Sequence, residues 1–165
     1  KLHYKELMTK NINKFLLIFL FIIISNCGYK ILDNAETNNF NIKEINSFGD
    51  KRINFKIKNS LIVDSMEDRT NNLILELDTK KIKKIKEKNI KNEITKYEIS
   101  LISNIKLNFL EKNQKHSFSI ISTGDYLASD RYSTTLKNEK RLVEDLTNDL
   151  SSKIKNRINL VTNDF

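Results

Sequence analysis

The sequence predicts an α+β fold: a two-layer sandwich in which a small antiparallel or mixed sheet carries two helices on one face, in the order β-α-β-β-β-α. Three observations predict it. First, residues 95–109 alternate. Thr95, Tyr97, Ile99, Leu101, Ser103, Ile105, Leu107 and Phe109 form one row, and Lys96, Glu98, Ser100, Ile102, Asn104, Lys106 and Asn108 the other. That period of two marks a half-buried antiparallel strand. Second, the C-terminal third changes to a helical period, with Leu136, Val143, Leu146, Leu150, Ile154 and Ile158 on one narrow stripe. A helix with a narrow apolar stripe lies on a layer rather than being engulfed. Third, a single cysteine rules out an internal disulfide, so the domain rests on one hydrophobic core.

The elements follow in order. Phe40, Ile42, Ile45 and Phe48 suggest a strand over Asn41–Ser47. Asp50 is a fitting N-cap for a helix to about Asp64, with Ile53, Ile57 and Leu61 four apart and Ile62 broadening the stripe. Ile53, Phe55 and Ile57 also alternate as a strand would, but length and the Leu61-Ile62-Val63 continuation favour the helix. Leu73–Lys88 reads as extended, Asn89–Asn92 as a turn, Glu111–Gln114 as a second turn, and Lys115–Tyr126 as the returning strand. Ser133 is the expected N-cap of a helix over Thr134–Leu160, whose Lys153, Lys155 and Arg157 suit the negative end of the helix dipole. With no proline and three glycines, turns fall to Asn, Asp and Lys-Asn pairs. Two helices on one face leave the other sheet face open to a partner.

Ahead of this domain stands a basic flank, the ten-residue apolar run Phe15–Ile24, and then Ser25-Asn26-Cys27-Gly28. That is the layout of a secretory signal peptide. The run is about half the length a helix needs to cross a bilayer core of ~30 Å, so a permanent span is the weaker reading. The lone cysteine at the cut suggests a bacterial lipoprotein, with Cys27 taking a diacylglycerol and becoming the new N-terminus. In an exported chain an odd cysteine has no disulfide partner. The expected layout is a signal peptide over residues 1–26 with its true start at Met8, a lipid-tethered segment over 27–39, and one domain over 40–165.

Cleavage would remove four lysines and one glutamate from 29 basic and 21 acidic residues, leaving 25 against 20 and a net charge of +5. Such a balance permits contact with phosphate-bearing partners. Nothing points to catalysis. Beyond the signal the histidine is His116 alone, and the sequence has no Cys/His pair, no His-x-x-x-His and no glycine-rich phosphate loop. The acidic neighbours Glu67–Asp68 and Glu144–Asp145 would point about 100° apart on a helix and read as solvated surface. We expect no enzyme, no cofactor and no metal.

At this point the residues resemble the outer-membrane LPS-assembly lipoprotein family, the LptE-like proteins. Cys27-Gly28-Tyr29-Lys30-Ile31-Leu32 is similar to that family's Cys-Gly-aromatic-x-Leu start. The hairpin ending in Glu93–Leu101 fits, as does Gly124-Asp125-Tyr126, then Tyr132-Ser133, then Glu139-Lys140 leading into the terminal helix. The resemblance implies a non-catalytic lipoprotein on the periplasmic face of the outer membrane. It would plug and help assemble the LptD barrel, one copy per barrel, and bind lipopolysaccharide on its way to the outer leaflet. The lipid on Cys27 would be the membrane anchor, since several acyl chains hold durably where one does not.

Two sets of contact residues follow as expectations. Lys80, Lys81, Lys83, Lys84, Lys86, Lys88 and Lys91 concentrate charge where lipid phosphates could be met, although lysines also protect an edge strand from edge-to-edge pairing. Aromatic side chains are absent from Lys80–Lys91, so no stacking platform for nucleic acid is visible, and no nucleic-acid partner is expected. For the barrel, the polar face of the alternating strand (Lys96, Glu98, Ser100) and the aromatic residues Tyr126 and Tyr132 are the candidates. The rival readings are a tethered scaffold of another envelope complex, a single-span anchored domain, and a lipid carrier. The narrow apolar stripes argue against the carrier, which needs surplus apolar surface to line a cavity.

Overall fold

A computed structural model describes residues 40–64 and 71–163. The expected signal peptide over 1–26, Cys27 and the tether over 27–39 lie outside the described residues. Within them the order is β1 (Asn41–Gly49), α1 (Lys51–Asp64), β2 (Asn72–Lys88), β3 (Ile94–Phe109), β4 (Gln114–Leu127) and α2 (Tyr132–Asn163). The strands form one sheet in the order β1-β2-β3-β4. β1 runs parallel to β2, and the rest is an antiparallel meander. The expected α+β sandwich is the observed fold, with a mixed sheet.

Local chemistry explains the corners. The Asp50 carboxylate accepts the backbone N–H groups of Arg52 and Ile53, each at 3.1 Å, which caps α1. In the β2–β3 turn Asn92 takes a positive φ of 64°, and Asn89 Oδ1 accepts from the backbone of Lys91 and Glu93. Asn113 does the same service in the β3–β4 turn with φ 49°. Asparagine tolerates the left-handed region, so a chain poor in glycine still turns tightly. Gly49 is the exception: its φ is +85°, and a Cβ there would lie 2.2 Å from the Thr79 carbonyl oxygen.

The core lies between the helices and one face of the sheet. Leu73, Leu75 and Leu77 of β2, and Ile99, Leu101, Ile105, Leu107 and Phe109 of β3, are buried against Ile53, Ile57 and Leu61 of α1 and Leu146, Leu150, Ile154 and Ile158 of α2. One polar pair sits inside it, Thr79 Oγ1 and Ser103 Oγ at 2.5 Å, both fully buried.

Three local expectations are corrected. Ser133 does not cap α2; the helix begins at Tyr132, and the Arg131 carbonyl accepts from Thr134 and Thr135. The Thr135 hydroxyl secures the preceding loop by bonding both the N–H and the carbonyl of Ser129. Leu136, the first residue of the stripe, is 47% exposed, because it lines an open groove rather than the core. Ile62 does not broaden the α1 stripe; it is 45% exposed, since the buried face is satisfied by Ile53, Ile57 and Leu61.

Candidate functional site

Alternation along the strands sorts the basic run into two opposite directions. Register pairs Lys83 with Ile99 and Lys81 with Leu101, whereas Lys80 pairs with Ile102 and Lys84 with Glu98. Lys81 and Lys83 therefore stand on the helix-covered face, and Lys80, Lys84 and Lys86 on the open face. Lys88 bonds Asn92 at the hairpin tip, where Lys91 also lies. The seven lysines do not form one cluster.

On the helix side, Lys83 Nζ lies 2.7 Å from Glu139 and 4.3 Å over the Tyr97 ring. Tyr97 and Tyr126 stack with centroids 5.3 Å apart, and the Tyr126 hydroxyl donates to Glu139 at 2.9 Å. Lys81 adds a longer ion pair to Glu139 at 3.4 Å. Burial acts to raise the Glu139 carboxyl, but hydrogen bonds from Lys83 and Tyr126 hold it below its ordinary value. Burial likewise pulls on Lys83, and its bonds to Glu139 and Tyr126 win, so its ammonium is held more firmly than usual. This hub fixes the start of α2 against the far half of β2 and β3. It also corrects one expectation: Tyr126 is 6% exposed and faces the helix, so it does not join Lys96, Glu98 and Ser100. Tyr132 is exposed at the start of α2.

Beside the hub, α1 and α2 line a groove of about 530 Å³. Ile53, Leu136 and Val143 give it apolar lining, and Arg52, Lys56, Lys81, Lys137 and Lys140 outnumber the carboxylates of Asp50, Glu139 and Glu144 around it. Lys56 pairs across it with Glu144 at 2.9 Å, and that hydrogen bond lowers the carboxyl's pKa. Apolar lining with an excess of cations suits an amphiphilic anion. Reading the sequence for lysine runs missed this group, because Lys81 of β2 is joined there by cations from two helices. The signal was present as Arg52/Lys56 and Lys137/Lys140 at helical spacing.

The opposite face of the sheet carries no helix among the described residues. Lys96, Glu98 and Ser100 project there with Ile102 and Asn104. Ile102 pairs with Ile121, which is 56% exposed, and Ile82 sits one step away opposite Ser100. Around this apolar centre, Lys86 pairs with both Glu98 and Asp125, Lys106 with Glu76 at 3.2 Å, and Thr123 donates to Ser100 at 3.0 Å. An apolar centre within a polar, partly ion-paired rim is the usual anatomy of a protein interface. Isoleucines on the polar rows are what the alternation had already written, as Ile82, Ile102 and Ile121.

Among the described residues no group of His, Cys, Asp and Glu could hold a metal ion, and no helix is long and apolar enough to cross a membrane. No protein-family model matches the chain. No curated protein matches it in sequence. Solved structures do. The uncharacterized lipoprotein B of Nitrosomonas europaea is similar with a TM-score of 0.60 at 12% identity, over 78% of this chain and 90% of that one. A provisionally assigned lipoprotein of Caulobacter crescentus CB15 is similar with a TM-score of 0.51 at 10% identity, over 72% of this chain and 89% of that one. The chain thus shares its fold with bacterial lipoproteins.

Proposed function

We propose that this protein is a non-catalytic lipoprotein of the LptE-like kind, anchored through lipid on Cys27 to the periplasmic face of the outer membrane. It plugs and helps assemble an LptD-like barrel in a one-to-one complex and assists lipopolysaccharide transport to the outer leaflet. The observation that carries the reading is the sheet face that no helix covers among the described residues. Its isoleucine centre and rim of Lys96, Glu98 and Ser100 supply a surface for a barrel wall. The fold shared with bacterial lipoproteins and the Ile24-Ser25-Asn26-Cys27 segment support the anchored half of the reading.

Lipopolysaccharide is an amphiphilic anion, and the groove between α1 and α2 offers it apolar lining beside Arg52, Lys56, Lys81, Lys137 and Lys140, which outnumber the carboxylates there. Of the lysines expected from sequence to meet lipid phosphates, Lys81 lines that groove; Lys80 and Lys84 face the other way. The test is purification of the tagged full-length protein from native outer membranes. The expected result is a stoichiometric LptD-like barrel, together with a Cys27 peptide carrying the mass of its acyl chains. Recovery of a different envelope complex, or an unmodified Cys27, would overturn the reading.

A further inference from the structure

The sheet has three unpaired edges among the described residues, and they are not built alike. The outer edge of β1 is nine residues long, carries Lys43 and Glu44, and is broken by an irregularity between Ile42 and Glu44. β2 loses its β1 neighbour after Thr79, and the bare stretch beyond is lysine-rich. Bulges, short length and lysines are the devices that stop a free edge from pairing. β4 has no bulge and is not short, and its one lysine, Lys115, stands next to the strand's start. It runs 14 residues in unbroken register with β3, and Ser117–Gly124 contains no charged residue.

A second observation points the same way. Along that edge lies a recess of about 460 Å³, where Phe118 and Ile120 of β4 meet Arg157 and Leu160 of α2. Phe118 and Ile120 are half-buried and Leu160 is 56% exposed. α2 therefore overhangs the place, one strand spacing of about 4.8 Å outward, where a fifth strand's apolar side chains would complete the layer.

We infer that β4 accepts an added strand: an extended segment of another protein with apolar residues at alternate positions and an acidic residue meeting Arg157. Main-chain hydrogen bonds give such an addition its affinity, and the recess gives it selectivity. Arg157 has no ion pair among the described residues, whereas Lys153 is already paired with Asp149 at 2.6 Å. The same cations disfavour a second copy as occupant, because pairing β4 with β4 would bring two such rims together. This surface is separate from the open sheet face, so the inference stands or falls independently of the barrel reading.

The test uses the detergent-solubilised, isotope-labelled full-length protein and two synthetic nonapeptides, Thr-Val-Thr-Glu-Thr-Val-Thr-Val-Thr, whose glutamate shares the face of its valines, and its lysine-for-glutamate counterpart. The acidic peptide should shift the backbone resonances of Gln114–Leu127 and Arg157, and should bind at least fivefold more tightly than the basic one. Arg157→Glu should reverse that preference, and Ser119→Lys, which places a charge on the edge, should weaken both. Absence of binding, unchanged preference in Arg157→Glu, or shifts confined to Lys80–Lys88 or the open face would overturn the inference. Concentration-dependent dimerisation through β4 without peptide would overturn it in favour of a second copy.

Discussion

Lys83 and Glu139 meet at 2.7 Å although 56 residues separate them in the chain, and their meeting ties the start of α2 to the overhanging half of β2. Tyr126 and the Tyr97 ring complete the joint. Replacing Glu139 with Gln should lower stability by about 1.5–3 kcal/mol at neutral pH, the range for hydrogen bonds to charged groups. Glu139 is held below its ordinary value of 4.5, so its contribution is present above about pH 4.5 and lost as pH falls through the depressed pKa. Urea titrations should show a shallower acid decline in Glu139→Gln. At the alkaline end, burial raises the Tyr126 hydroxyl above 10.0. Its contribution is present below that pH and lost as pH climbs through the raised pKa.

Thr79 and Ser103 satisfy one another inside the core. Thr79→Val should cost about 1–3 kcal/mol, because the Ser103 hydroxyl is left buried without a partner. The double change Thr79→Val with Ser103→Ala should recover most of that loss, since both polar groups are then gone. A double-mutant cycle in urea reads the difference directly.

Gly49 ends β1 at φ +85° with Thr79's carbonyl against it. Gly49→Ala should destabilise by about 1–3 kcal/mol from backbone strain alone, and the clash with a main-chain atom should add to it. Thermal melts of the two proteins measure this. Exposed neighbours such as Ser47 should tolerate alanine with little change.

If the groove takes lipopolysaccharide, charge reversal on its walls matters and charge reversal behind it does not. Lys137→Glu with Lys140→Glu should weaken binding to lipopolysaccharide micelles about tenfold, more at low salt than at high. Lys80→Glu with Lys84→Glu, on the open face, should leave it within about twofold. Fluorescence titration at two salt concentrations reads both.

Much of this was legible in the chain. The alternation of residues 95–109 named both faces of β3, and the four-residue spacing from Leu146 to Ile158 named the buried side of α2. Asp50 gave away the start of α1 because capping is a local interaction. What depended on distant partners was harder. Tyr126 looked like an exposed aromatic beside a loop, yet β4's register turns it under α2, where Glu139 and Tyr97 await it. The lysine run read as one patch, and only the pairing of β2 with β3 divides it between two faces. The groove was invisible for the same reason, its cations being shared between α1, α2 and β2.

The most direct measurement is site-specific photo-cross-linking in native outer membranes, with p-benzoylphenylalanine replacing Ile121 at the centre of the open sheet face and, separately, Ser152 on the solvent side of α2. The expected result is an efficient cross-link from position 121 to an LptD-like barrel and little from position 152. A cross-link of the barrel to position 152 alone, or to neither position, would contradict the assignment of the sheet face as the barrel contact.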